Sequence, residues 1–176
     1  MTGPTQPDAV DLLLAQHVEI EELFAEVLVA LGERKRDLFQ ELVQVLAVHE
    51  TVEEELIHPR IRVEVAAAEP VVAGRVREEQ DAKRELAELY ELGTDHPHFD
   101  RRLTSLARAV LEHAAREEQE EFPFLRTALG QADRERLGSA MRAAQALAPT
   151  RPLLAGAPPA VFDKVRDVIR DARARN

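Results

Sequence analysis

The sequence predicts an all-α protein: an up-down-up-down four-helix bundle with additional C-terminal helices. Three observations carry this. Apolar residues recur at helical spacing nearly throughout, and no sustained period-2 run appears. Glycine and proline cluster between long periodic stretches. Four such stretches are joined by short connections, which makes sequential helices antiparallel neighbours. The chain has 176 residues, 45% of them hydrophobic, enough for one ordinary domain with a well-formed core.

The elements follow in order. Residues 1–7 are a Pro-rich, loose start. Asp8, after Pro7, is a plausible N-cap for a first helix that stops near Gly32. Its inner stripe reads Leu13, His17, Ile20, Phe24, Val27 and Leu31. A second helix runs from about Asp37 to His58 and is ended by Pro59, with a short turn or helix over residues 60–69. A third runs from about Pro70 to Leu92 and is ended by Gly93. The loop Thr94-Asp95-His96-Pro97-His98 leads into a fourth helix, about Phe99 to Leu129, in which Pro123 predicts a kink or short break. Asp133 reads as the N-cap of a fifth helix, about Arg134 to Leu147. Pro149, Pro152, Gly156, Pro158 and Pro159 mark residues 149–159 as a linker to a last helix, about Ala160 to Arg175. That helix is basic at its end (Arg170, Arg173, Arg175), as suits a helix C-terminus. The division is therefore residues 8–130 as the bundle and 131–176 as a helical extension with a Pro-rich linker.

Composition excludes several functions. The net charge of −10 argues against nucleic acid and anionic membrane as partners. With no cysteine there are no disulfides, thiolate nucleophiles or iron–sulfur clusters, which fits a cytoplasmic location. No signal-peptide pattern is evident, and no apolar run reaches the roughly 20 residues that span a bilayer. Aromatics are only 4%, too few for an aromatic-lined sugar or base site.

The chemistry lies in a motif that occurs twice. His49-Glu50-Thr51-Val52-Glu53-Glu54 is followed by His58-Pro59, and His113-Ala114-Ala115-Arg116-Glu117-Glu118 by Phe122-Pro123. Each is His-x-x-x-Glu-Glu with a proline five residues on. An i, i+4 pair shares one helix face, so each copy aims an imidazole and a carboxylate at one point. A single such pair in a chain that is 32% charged is usually a solvated salt bridge. Repetition argues otherwise, and so does the company: Leu42, Val45, Leu46 and Leu56 by the first copy, Leu106, Ala109, Val110 and Phe124 by the second. Carboxylates on a core face are costly unless paired or bound to metal. Two such helices face to face offer a nitrogen and oxygen shell suited to iron or manganese. His17 lies on the apolar stripe of the first helix at matching depth. Glu54 and Glu118 point about 100° away from the motif faces, so neither is expected to matter to a metal.

This order of residues resembles the hemerythrin-like, or HHE cation-binding, domain over about residues 8–130. The resemblance implies a four-helix bundle holding two non-heme iron ions per chain. It implies His17, His49, Glu53, His113 and Glu117 as metal ligands, with Glu53 and Glu117 bridging. It also implies a small diatomic ligand or peroxide as partner, with roles ranging from oxygen carriage and sensing to iron storage and nitric oxide handling.

One stretch departs from the family pattern. Where the third helix would carry a ligand His, the chain reads Glu78-Glu79-Gln80-Asp81-Ala82-Lys83. Glu79, near the centre of the apolar face set by Val72, Val76, Leu86 and Tyr90, could ligate instead. A water held by Gln80 could fill the position. His58 could swing in, but at 100° per residue it lies about 180° around from His49, and only unwinding before Pro59 would bring it back. Glu50 is a further oxygen candidate. Lys83, near the inner face, would pair with Glu79 or another buried carboxylate, or donate to a bound ligand. His96 and His98 read as exposed loop residues, and Tyr90 as core. Besides a ligand-binding protein, the sequence leaves open a di-iron enzyme that decomposes peroxide or reduces nitric oxide, and a metal-free helical interaction module.

Overall fold

The computed structural model describes residues 7–147 and 156–174. The first helix, α1 (Ala9–Val29), starts as expected. Asp8 caps it, its carboxylate accepting from the Val10 and Asp11 amides while Asp11 accepts from the Asp8 amide at 3.1 Å. Such a reciprocal cap stabilises a helix start by about 1 kcal/mol. Gly32 does not end α1 but opens α2 (Gly32–Val52), where its φ of +56° is a conformation that other residues rarely adopt. The second helix thus begins five residues earlier than the charged stretch suggested.

The two motif-bearing arms are built alike. A π-turn over Glu53–Ile57 joins α2 to α3 (His58–Glu64), and a π-turn over Glu117–Glu121 joins α5 (Phe99–Arg116) to α6 (Phe122–Ala128). Each is closed by an i→i+5 hydrogen bond: the His58 amide donates to the Glu53 carbonyl, and the Phe122 amide to the Glu117 carbonyl. Proline is the cause. Pro59 and Pro123 have no N–H to continue the α ladder, and their rings would strike the carbonyls of Glu55 and Gln119 in an unbroken helix. The expected interruption of the fourth helix is this π-turn, and the second helix has its counterpart. Between the arms runs α4 (Glu69–Leu92), ended by Gly93 at φ +81°.

The arms α1, α2–α3, α4 and α5–α6 form the four-helix bundle. The extension is part of the same body. α7 (Gln131–Leu147) begins at Gln131, so Asp133 lies in its first turn instead of capping it. It docks on the start of α1 through Arg134, 2.8 Å from Asp8, and through Gly138, where a Cβ would come within 3.0 Å of the Ala9 nitrogen. α8 (Pro158–Ala174) lies against both α2 and α4. Its Val161, Phe162, Val165 and Ile169 join Met141 and the bundle interior in one buried apolar cluster. The expected linker at 149–155, the loose start at 1–6 and Arg175 lie outside the described residues. No helix among the described residues is long and apolar enough to cross a membrane.

Candidate metal centre

His17, His49, Glu53, Glu79, His113 and Glu117, the six residues singled out in the sequence, meet in the middle of the bundle, each at most 7% exposed. Their donor atoms fall into overlapping sets in which every atom lies within 4.8 Å of the others. His17, His49, Glu53 and Glu117 form one. Glu53, Glu79, His113 and Glu117 form a second. A third set, His58, Glu117 and Glu121, brings in two side chains outside the six.

His58 reaches the centre because of the π-turn. A turn closed i→i+5 takes one more residue than an α turn, so every side chain beyond it shifts by roughly 100° relative to α phasing. His58 Nε2 comes within 3.5 Å of Glu79 Oε1 and 3.2 Å of Glu121 Oε1. Of the proposed substitutes for the missing third-helix His, Glu79 and His58 are therefore both in place. Gln80 is exposed. Glu121 was missed, although its i, i+4 spacing from Glu117 continues the step from His113 to Glu117.

Neighbouring polar groups fix how the imidazoles point. His17 Nδ1–H donates to Glu118 Oε1 at 2.8 Å, His113 Nδ1–H to Glu78 Oε2 at 2.9 Å, and His49 Nδ1–H to Gln16 Oε1 at 3.1 Å. With Nδ1 so held, each Nε2 points inward and on losing its proton offers a lone pair there, the arrangement that orients metal-binding histidines. Phe122 stacks on the His17 ring at 5.6 Å and walls the site. Glu118 is thus no ligand, but it is no bystander either, contrary to its helical phase. Lys83 goes to Glu54 at 2.6 Å and to buried Glu50 at 3.6 Å, while Glu79 turns to His58. His96 and His98 are exposed as expected, and Tyr90 packs at the core margin.

The donor set fits bound cations. His17 Nε2, Glu53 Oε2, His113 Nε2, both nitrogens of His58 and both oxygens of Glu79, Glu117 and Glu121 are buried without a hydrogen-bond partner. Orphaned polar atoms are costly, and eleven in one cluster make no sense as an apolar core. Their close approaches, 3.0 Å for His113 Nε2 to Glu117 Oε1 and 3.2 Å for His17 Nε2 to Glu117 Oε2, match the edge of an octahedron with metal–ligand bonds of about 2.1 Å. Protonation follows burial. Glu79 is pushed up to about 9 and Glu121 to about 8 by desolvation and neighbouring carboxylates, and Glu53 is raised well above the usual range for the same reasons. Burial lowers His49 to about 3 and His58 to about 4. Burial also opposes charge on His113 and Glu117, yet their mutual pairing wins: His113 rises to about 9 and Glu117 is held well below the carboxylate range. A cavity of about 380 Å³ opens beside the cluster, between α4 and α5.

A buried His/Glu cluster spanning all four arms of a helical bundle defines a cation-binding helical protein. The family comparison makes this specific. The model of the hemerythrin HHE cation binding domain matches residues 8–125, and the chain belongs to that family. The crystal structure of a hemerythrin HHE cation binding domain-containing protein from Mycobacterium kansasii superposes with a TM-score of 0.75 at 22% identity, covering 93% of this chain and 99% of that one. A DNA nickase from Nostoc sp. (strain PCC 7120) is 26% identical over 136 residues, 77% of this chain. The match spans only 38% of that relative's length.

Proposed function

We propose that the chain holds two iron ions in a non-heme centre and there binds a small redox-active ligand: dioxygen, nitric oxide or peroxide. The observation that carries this is sharing. Glu117 belongs to all three donor sets and Glu53 to two, so two carboxylates, each with two oxygens, sit where bridges between ions would be. His17 and His49 would serve one ion. His113, Glu79, His58 and Glu121 would serve the other. Bound iron would supply Lewis acidity and electrons; the protein supplies orientation, through Glu118, Gln16 and Glu78, and an approach walled in part by Ile20, Leu46, Leu106 and Val110. Glu79 and Glu121 would release protons as metal loads. The charge of −10 supports a role without nucleic acid, and we keep the nickase activity with the Nostoc protein. The absence of cysteine is in keeping with the cytoplasm.

Elemental analysis tests the reading. We expect about two iron ions per chain, and a sharp fall in both His49→Ala and His113→Ala. Full loading of both variants would end the di-iron proposal. Titrating the reduced protein with nitric oxide and following the absorption spectrum tests the ligand.

A second reading has its own support. Four of the eight side chains at the centre are carboxylates, a donor balance that stabilises oxidised iron and favours peroxide decomposition, in which two hydrogen peroxide molecules give two waters and one dioxygen. Sustained dioxygen release on mixing with peroxide would mark the enzyme; stoichiometric binding would mark the carrier or sensor.

A further inference from the structure

The cavity is larger than a diatomic guest needs. An apolar cavity of about 150 Å³ suffices for benzene, and a water takes about 30 Å³ of liquid. This one is about 380 Å³. It is also long. Its lining runs from Ser105 to Arg116 along α5, roughly 16 Å by helix rise, and from Glu78 to Glu85 along α4, roughly 10 Å.

Its walls and ends differ in chemistry. Ile20, Leu46, Ala82, Leu106, Ala109 and Val110 make the walls apolar. His49, Glu50, Glu79 and His113 form the inner end, at the metal cluster. The mouth exists because Ala82 on α4 and Ala109 on α5 are small; Ala109, expected on the motif face, is instead exposed there. Glu78, Asp81, Glu85, Glu112 and Arg116 line the outer part, and arginines pair three of these carboxylates: Arg75 and Arg116 take Glu78, Arg84 takes Asp81 and Arg102 takes Glu85. Apolar walls give a stripped ion of either sign no partner.

Resting on the metal-centre reading, we propose that this cavity binds a neutral organic molecule with an elongated apolar body and one small oxygen-bearing end, as in a medium-chain alcohol, aldehyde or hydroperoxide. The apolar body lies along α5 and the polar end faces His113 and Glu79. The site then acts on, or is tuned by, an organic ligand and not only a diatomic one.

Calorimetric titration with a series from butan-1-ol to octan-1-ol, on both iron-loaded and metal-free protein, tests this. Affinity should rise about threefold to fourfold per added methylene. Octanoate, the same length but charged, should bind at least tenfold more weakly than octan-1-ol. Ala109→Phe should block the mouth, lowering octan-1-ol affinity at least tenfold with iron content unchanged; Ala82→Leu repeats the test from α4. Absence of saturable binding to both forms, affinity that ignores chain length, or indifference to both substitutions overturns the proposal. Loss of iron from the wild-type assay with octan-1-ol still bound would overturn the metal reading and support the cavity assignment.

Discussion

Glu54 and Glu118 occupy the same place in the repeated motif and do different work. Glu54 ties down Lys83 and Arg166 outside the cluster, whereas Glu118 holds the Nδ1 of His17. Helical phase set both apart from the metal; it could not foresee that a side chain on α5's continuation reaches across to α1. Replacing such an orienting partner typically costs 10–100-fold in metal affinity. Glu118→Ala should fall in that range by chelator competition with melting temperature little changed, and Glu118→Gln, which keeps an acceptor, should lose less. Equal affinity in Glu118→Ala and wild type would reduce the 2.8 Å contact to a surface ion pair. At the other end of the centre, His58→Ala and Glu121→Ala should each lower metal content, and Gln80→Ala should not. Loss of metal in Gln80→Ala would restore the water-bridge alternative. His49, Glu53, His113 and Glu117 were legible because i, i+4 arithmetic holds from α2 and α5 to the first residue of each π-turn, and His17 and Glu79 because they share apolar helix faces. Glu121 was not, and His58 entered only as the alternative that needed unwinding before Pro59, because that arithmetic stops at the π-turns.

At the scale of elements, a π-turn is a poor helix that persists only where its surroundings hold it. The first is gripped from outside by α8. Arg166 lies 3.2 Å from Glu54, Arg170 2.8 Å from Glu55, and Lys83, already on Glu54, sits over the Phe162 ring at 4.8 Å. At the second, Arg75 of α4 takes Glu120 at 3.3 Å. Arg170, one of the basic residues read in the sequence as complementing a helix dipole, thus meets a specific carboxylate. Removing Arg166 and Arg170 together should loosen residues 53–57 and, with them, the seat of His58. Amide hydrogen exchange should quicken there in Arg166→Ala/Arg170→Ala and stay unchanged over residues 117–121. Uniform quickening in both turns would instead mean general destabilisation. Nothing in the sequence pattern separated a stabilising C-terminal helix from a detached one, since the carboxylates that Arg166 and Arg170 meet on the first π-turn lie more than a hundred residues away.

At the scale of the molecule, the centre makes the metal-free protein sensitive to alkali. Glu50, Glu121 and Glu79, at about 7, 8 and 9 against an ordinary 4.5, keep protons that the unfolded chain has lost. Their contribution to stability is full below pH 4.5 and disappears as pH climbs through those values. His113, raised to about 9 from 6.5, acts in the same direction. His49 and His58 act oppositely, but their contribution is complete above pH 6.5. Between pH 6.5 and 8.5 only losses remain, so the melting temperature of metal-free protein should fall steadily. Metal requires the deprotonated ligands, so the gap between loaded and metal-free protein should widen over the same range. A flat metal-free profile would show that these carboxylates are ionised in the fold. The bundle itself was readable from periodicity and punctuation. Its helix junctions were less so, because Gly32 can end one helix or begin the next and only the backbone decides.

The two arms keep step at a fixed interval. A shift of 64 residues carries His49 to His113, Glu53 to Glu117, Pro59 to Pro123 and one π-turn onto the other, ends included. At the exit of the turns the side chains part company: Ile57 and His58 in one arm, Glu121 and Phe122 in the other. Each arm thus delivers one further donor, at neighbouring positions and of different kind. The backbone device is common to both arms, and what it carries differs between them. A lineage with this scaffold can change its ligand set by single codon changes at the exit of a turn, without re-laying a helix, and so drift between histidine-rich and carboxylate-rich centres while the bundle around them stands still.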